Sequence, residues 1–152
     1  MKEKKEIKLT IPSEYHYDEV AIVVMRLIAH EVGLSIERIE NLERCVEEIV
    51  VNAIEHGYKG IEGENVVNII FIFDDKSLTV EIQDFGQGCP AEVFKQIDKK
   101  DLKIRRIKDG QARQGCGIFL VRQFVDELAV ESTLGQGTLV RMKMFCEKSK
   151  EE

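Results

Sequence analysis

Glu48 and Asn52 stand four residues apart in the run Glu48-Ile49-Val50-Val51-Asn52-Ala53-Ile54-Glu55-His56-Gly57-Tyr58, so on a helix a carboxylate and a carboxamide share one side. Such a carboxylate can take a proton from an attacking hydroxyl or water, and an amide oxygen is a hard ligand of the kind Mg²⁺ prefers. Asp84 opens a second segment, Asp84-Phe85-Gly86-Gln87-Gly88, whose carboxylate only accepts hydrogen bonds and therefore suits an exocyclic amine. Gly86 and Gly88 beside it leave room for a flat ring to approach the backbone. In a third segment, Gly115-Cys116-Gly117-Ile118, glycines precede an apolar helical run, where free N–H groups and the helix dipole attract phosphate. A base, a metal ligand, an amine acceptor and a phosphate cradle are together the parts of a nucleotide site.

Helical phase sharpens the first segment. At about 100° per residue, Leu42, Cys45, Val46, Ile49, Val50 and Ala53 form one apolar stripe, and Glu48, Asn52 and His56 follow one edge of it. Glu47 falls on the opposite, solvated side, so of the two adjacent glutamates only Glu48 accompanies Asn52. A solvated helix flank carries the same kind of polar pair, and on this helix alone the two readings stand even. His56, followed by Gly57, reads as a capping or packing residue. Taken singly, an ordinary Asp-Gly turn and a plain loop-to-helix junction are the simpler accounts of the second and third segments. Thr138, after Gly137, either offers a hydroxyl near the base or is only a β-branched strand residue.

The elements that must position these residues follow from periodicity. Residues 6–11 predict a strand, closed by Pro12 and Ser13 before a helix that begins near Tyr17 and carries Val20, Val23, Val24, Leu27 and Ile28 on one stripe. Gly33 ends that helix, and the Ser35 hydroxyl is placed to cap a second, Ile36 to His56. Val66 to Phe73, the turn Asp74-Asp75-Lys76, and the alternation of Leu78, Val80 and Ile82 predict a hairpin that delivers Asp84 at a strand end. Residues 90–113 carry Lys99, Lys100, Lys103, Arg105, Arg106 and Lys108 and are long enough for a functional lid, though a charge run is also an ordinary solvated surface. A helix is expected from Gly117 to Glu127 with Ile118, Val121, Phe124 and Val125 inward, then strands 128–133 and 138–145 joined by Leu134-Gly135-Gln136-Gly137. The order predicts an α+β, two-layer sandwich: a mixed, mostly antiparallel sheet with helices on one face. One domain is expected over residues 1–147, with a disordered tail at 148–152.

Composition removes several classes. With 152 residues, 43% hydrophobic and 33% charged, the chain is expected to fold as a compact globule. A formal net charge of −6 argues against direct nucleic-acid binding through a basic face. Cys45, Cys89, Cys116 and Cys146 contain no C-x-x-C pair, so they read as reduced cytosolic thiols rather than a zinc or redox site. The charged start Met1-Lys-Glu-Lys-Lys-Glu6 lacks the apolar core of a secretory signal, and no run approaches the length of a membrane span. A cytoplasmic location with no membrane association is expected.

In this order, E-x-x-x-N-A-I-x-H-G-Y, D-x-G-x-G, G-x-G-I-x-L-V and a late G-T resemble the Bergerat-type, histidine-kinase-like ATP-binding fold from about Ser35 to Phe145. The Asn52 to Tyr58 string and the small size look most like the anti-sigma-factor serine-protein kinases. That resemblance implies ATP and Mg²⁺ as cofactors, with Glu48 as general base and Asn52 holding Mg²⁺. It places Asp84, Gly86 and Gly88 at the adenine, Gly115, Cys116, Gly117 and Ile118 around the phosphates, and Thr138 near the base. It also implies a sigma factor and an anti-anti-sigma protein phosphorylated on serine as partners, and a homodimer. Two departures stand out: Cys89-Pro90 is one residue shorter than the family's usual Phe-Asp-Pro, and Cys116 replaces a larger apolar residue. The alternatives are an ATP-dependent protein-binding module without kinase activity and the catalytic part of a histidine kinase. The latter would need a phosphoacceptor such as His16, His30 or His56.

Overall fold

The computed structural model describes residues 3–56, 65–86, 88 and 116–147, with the side chains of His56, Cys116, Gly117 and Phe119 left aside. The segment 90–113 expected as a candidate lid, Gly57, Tyr58, Gly115 and residues 148–152 lie outside the described residues. The elements run β1 (Lys5–Pro12), α1 (Asp18–Val32), α2 (Ile36–His56), β2 (Val66–Phe73), β3 (Ser77–Asp84), α3 (Cys116–Phe124), β4 (Glu127–Thr133) and β5 (Gly137–Phe145). The strands form one sheet in the order β1-β2-β3-β5-β4, and every described neighbouring pair is antiparallel. The expected α+β architecture is present, with α1 and α2 laid on the same face of the sheet.

Alternation explains which face that is. On β2, Val67, Ile69, Phe71 and Phe73 are buried while their neighbours are half-exposed, and on β3 the inward row is Leu78, Val80 and Ile82. The other face stays open and polar: Arg141 donates to Glu81 at 2.7 Å, Thr10 to Asn68 at 2.8 Å, and the Lys143 ammonium lies 5.0 Å from the Phe145 ring centre. From the helical side, α2 buries Ile39 and the whole predicted stripe from Leu42 to Ala53. Each such aliphatic side chain contributes about 1.5–3 kcal/mol by leaving water, so this stripe is what holds α2 in place.

The first helix differs from expectation. Its inward residues are Ala21, Ile22, Met25, Ile28, Ala29 and Val32, whereas Val20, Val23 and Leu27 are exposed and Val24 is half-buried. The helix is apolar over most of its circumference, so periodicity alone did not select a face. Two alanines on the inner side let it approach its neighbours closely. The helix before β4 also stops earlier than predicted, at Phe124 rather than Glu127. There the Asp126 N–H leaves the helical pattern and donates to the Lys143 carbonyl at 3.0 Å, which starts the β4–β5 pairing.

A polar clamp fixes one end of α2. Ser35 accepts the Arg38 N–H at 3.3 Å, the expected N-terminal cap. Arg38 pairs with Asp126 at 2.9 Å, and that same carboxylate oxygen accepts the Phe145 N–H at 2.7 Å. Measured from this clamp, Asn52 lies about 21 Å along α2 at 1.5 Å per residue. Thr138 lies about 23 Å along β5 at 3.3 Å per residue. The two elements pack together, so the second half of α2 reaches the end of the sheet where β3 finishes and β5 begins. At that end Tyr15 donates to Glu55 at 2.9 Å, tying the segment before α1 to the last turn of α2.

Candidate functional site

Register places three polar side chains in one row at that end of the sheet. Asp84 pairs with Val67 on one side and Thr138 on the other, and Thr138 pairs in turn with Ser132. Asp84 keeps the phase of Leu78, Val80 and Ile82, Thr138 that of Val140 and Met142, and Ser132 that of Leu128 and Val130. All three therefore point to the helical side of the sheet.

Asp84 is 9% exposed. Burial pushes its carboxyl above the ordinary carboxylate range, opposed by hydrogen bonds from the backbone N–H groups of Gly86 and Thr138. The Gly86 bond is 3.0 Å to Oδ1. Two fixed donors orient the carboxylate and leave it lone pairs to offer a ligand, so the residue is a rigid acceptor at the end of the sheet. The Thr138 hydroxyl beside it contacts Ser132 Oγ at 2.7 Å.

The glycines serve a purpose the sequence did not disclose. A Cβ built on Gly88, where φ is +63°, would lie 2.9 Å from the Gly137 carbonyl oxygen and closer still to that of Thr133. One built on Gly137, where φ is +115°, would meet the Phe85 Cα at 2.9 Å and, nearer yet, the Asp84 carbonyl oxygen. The segment after Asp84 thus lies directly against the β4–β5 turn, backbone on backbone, and neither residue can carry a side chain there.

Glu48 and Asn52 share the half-buried flank of α2, while Glu47 is exposed, as helical phase predicts. The Glu48 charge is felt by Cys45 one turn earlier: burial first, and then Glu48, push that thiol up to about 12. Glu48 therefore lies at the border between the core and solvent. Cys116 and Gly117 form the first turn of α3, whose Ile118 and Val121 are buried, and α3 packs against α2. The amide-rich start of α3 is thereby presented on the helical layer that carries Glu48 and Asn52.

The structure thus brings Asp84, Gly86, Gly88 and Thr138 together at one sheet end. It puts Glu48 and Asn52 on the α2 flank that reaches that end, and Cys116, Gly117 and Ile118 at the start of the adjoining α3. Sequence reasoning missed Ser132 as part of this group. Hairpin register held the signal: a three-residue turn at Leu134-Gly135-Gln136 makes Ser132 and Thr138 cross-strand partners.

A family model described as histidine kinase-like ATPase domain matches residues 12–144. Similar proteins include the anti-sigma F factor of Clostridium acetobutylicum, 32% identical over 143 residues that cover 94% of each chain. The anti-sigma F factor of Caldanaerobacter subterraneus subsp. tengcongensis is 33% identical over 143 residues, 91% of this chain and 92% of that one. The serine-protein kinase RsbW of Bacillus pumilus is 28% identical over 145 residues, 95% of this chain and 88% of its own. A chain in the crystal structure of the SiaB–SiaC complex from Pseudomonas aeruginosa shares the fold, with TM-score 0.64 and 12% identity over 91% of this chain and 88% of that one. The chain therefore belongs to the histidine kinase-like ATPase domain family, together with the anti-sigma F factors.

Proposed function

We propose that this protein binds ATP, sequesters a sigma factor, and transfers the γ-phosphate to a serine of an anti-anti-sigma protein. The observation that carries the reading is Asp84: a buried carboxylate fixed by two backbone donors, beside a hydroxyl, at the sheet end that the Glu48–Asn52 flank reaches. The names of the relatives support the anti-sigma and serine-kinase parts.

In this reading Asp84 accepts the adenine amine, and Gly115, Cys116, Gly117 and Ile118 present backbone N–H groups to the phosphates. Glu48 takes the proton of the incoming serine hydroxyl, and its half-buried setting keeps it directed at the site rather than dispersed in solvent. Asn52 supplies one hard oxygen, sufficient where phosphate oxygens and waters complete the shell of Mg²⁺. When bound, that ion neutralises charge developing on the phosphates. Phosphoryl transfer of this kind is mostly positioning, so a short list of residues suffices.

The exposed Val20, Val23 and Leu27 stripe on α1, next to the edge strand β1, supports a homodimer. The net charge of −6 supports protein partners over direct nucleic-acid binding. Among the described residues no helix is long and apolar enough to cross a membrane.

The test is phosphotransfer. Incubated with Mg-ATP and its cognate anti-anti-sigma protein, the chain yields phosphoserine detectable by mass spectrometry. Glu48→Ala slows that transfer by about 10²–10⁴-fold. Transfer at the full rate by Glu48→Ala removes Glu48 from its role, and nucleotide-dependent partner binding with no phosphoserine removes the kinase activity.

A further inference from the structure

Glu55 has no place in the reading above, yet it lies beside the residues that do. Seven positions after Glu48, at about 100° each, it returns to within about 20° of that residue around α2. It follows Asn52 by three, and residues so spaced are neighbours on a helix. Glu55 is half-buried, and Tyr15 donates to its Oε1 at 2.9 Å, which ties it to the segment before α1.

Asn52 therefore has a carboxylate-bearing neighbour on each side along the helix, Glu48 one turn before it and Glu55 one turn after. All three are partly withdrawn from water, where charge is screened less than on an open surface. Such a flank combines hard oxygen atoms, which suit Mg²⁺, with negative charge, which opposes a bare triphosphate. Free ATP carries about four negative charges and its magnesium complex about two, so a carboxylate held here penalises the free form more. Glu48 needs its carboxylate for the chemistry proposed above. Glu55 has no such duty, so its charge can be varied without touching the transfer step.

We propose that Glu55 is a specificity-determining residue of the nucleotide site: its charge, held beside Asn52, makes the site select ATP complexed with Mg²⁺ over ATP alone. The proposal rests on the nucleotide reading of this site. It assigns Glu55 no bond to the metal and acts through charge, not through any contact that Glu55 must lack.

The experiment compares ATP in excess Mg²⁺ with ATP in EDTA. Affinities for both are measured by calorimetry on the unaltered full chain and on Glu55→Gln, Glu55→Lys, Glu47→Gln and Asp84→Asn. Glu55→Gln keeps an oxygen to which Tyr15 can donate and removes the charge. It is expected to lower the preference for the magnesium complex about five-fold, chiefly by strengthening the binding of free ATP. Glu55→Lys, which reverses the charge, should lower the preference further, and both effects should shrink as salt is raised. Glu47 is exposed on the opposite side of α2, so Glu47→Gln changes the net charge equally and should leave the preference where it is. A purely structural role for Glu55 would weaken both forms of ATP alike and leave their ratio unchanged. Two replacements at one position guard against a single variant that folds poorly. An unchanged ratio in both Glu55 variants, or an equal fall in Glu47→Gln, overturns the Glu55 proposal alone, provided Asp84→Asn still impairs ATP. If Asp84→Asn binds ATP as the unaltered chain does, the nucleotide reading itself fails, and the proposal with it.

Discussion

Replacing Gly137 with alanine should damage stability and nucleotide binding together, and Gly135→Ala supplies the control. Both glycines hold positive φ, +115° at Gly137 and +80° at Gly135. A Cβ at Gly135 would meet nothing within 4 Å, whereas at Gly137 it would strike the Asp84 carbonyl oxygen and approach the Phe85 Cα at 2.9 Å. Gly135→Ala therefore carries only the conformational cost of a side chain at positive φ, about 1–2 kcal/mol. Gly137→Ala carries a strain of about 1–3 kcal/mol. Forcing backbone apart adds about 1–3 kcal/mol more. The sum, roughly 2–6 kcal/mol, is a large part of the ~5–15 kcal/mol that holds a domain folded. At this chain length about 2–4 °C of melting temperature follows each kcal/mol, so Gly137→Ala should melt roughly 5–20 °C lower and Gly135→Ala only a few degrees lower. Because the displaced atoms belong to Asp84 and Phe85, Gly137→Ala should also lose the melting shift that ATP confers, and Gly135→Ala should keep it. Scanning calorimetry with and without Mg-ATP reads both. Equal melting temperatures for the two variants would refute the claim that the β4–β5 turn lies against the Asp84 segment.

Three further outcomes are expected. Asp84 carries a carboxyl raised by burial, so the folded chain holds that proton more tightly than the unfolded chain does. Its contribution to stability therefore falls as pH rises from the ordinary carboxylate range through the raised value. Urea titrations should find Asp84→Asn gaining on the unaltered chain across that window and binding ATP less well; a pH-independent difference would count against the burial argument. Cys45, 0% exposed and with its thiol pushed up to about 12, should resist iodoacetamide at pH 8 until the chain is unfolded, and labelling of the native protein by mass spectrometry would contradict the placement of α2. Leu27 is 68% exposed on α1, so if the proposed homodimer forms through that stripe, Leu27→Asp should convert it to a monomer in light scattering without lowering the melting temperature; a dimer that persists shows that another surface is used.

What the sequence made legible depended on how many independent cues met at one residue. The α2 stripe and the choice of Glu48 over Glu47 were readable because a long amphipathic helix has only one phase that buries Leu42, Val46, Ile49 and Ala53 together. Asp84 was readable because strand alternation counted straight to it from Leu78. The first helix defied the same arithmetic, since residues that could be core lie on both of its faces and only packing chooses between them. The contact between Gly88 and the β4–β5 turn was out of reach for a different reason: it arises between segments that meet only after the sheet has formed, and no local pattern encodes such a meeting. Residues 90–113 and Gly115 lie outside the described residues.

The central claim is that the Asp84 end of the sheet receives the base of ATP, and a calorimetric titration of Mg-ATP into the unaltered chain and into Asp84→Asn tests it most directly. The unaltered chain should bind one ATP per chain. Asp84→Asn, remaining folded but having lost the charged acceptor, should bind at least about tenfold more weakly, as expected for a hydrogen bond to a charged group. Equal affinities in the two proteins would place the nucleotide elsewhere and contradict the account.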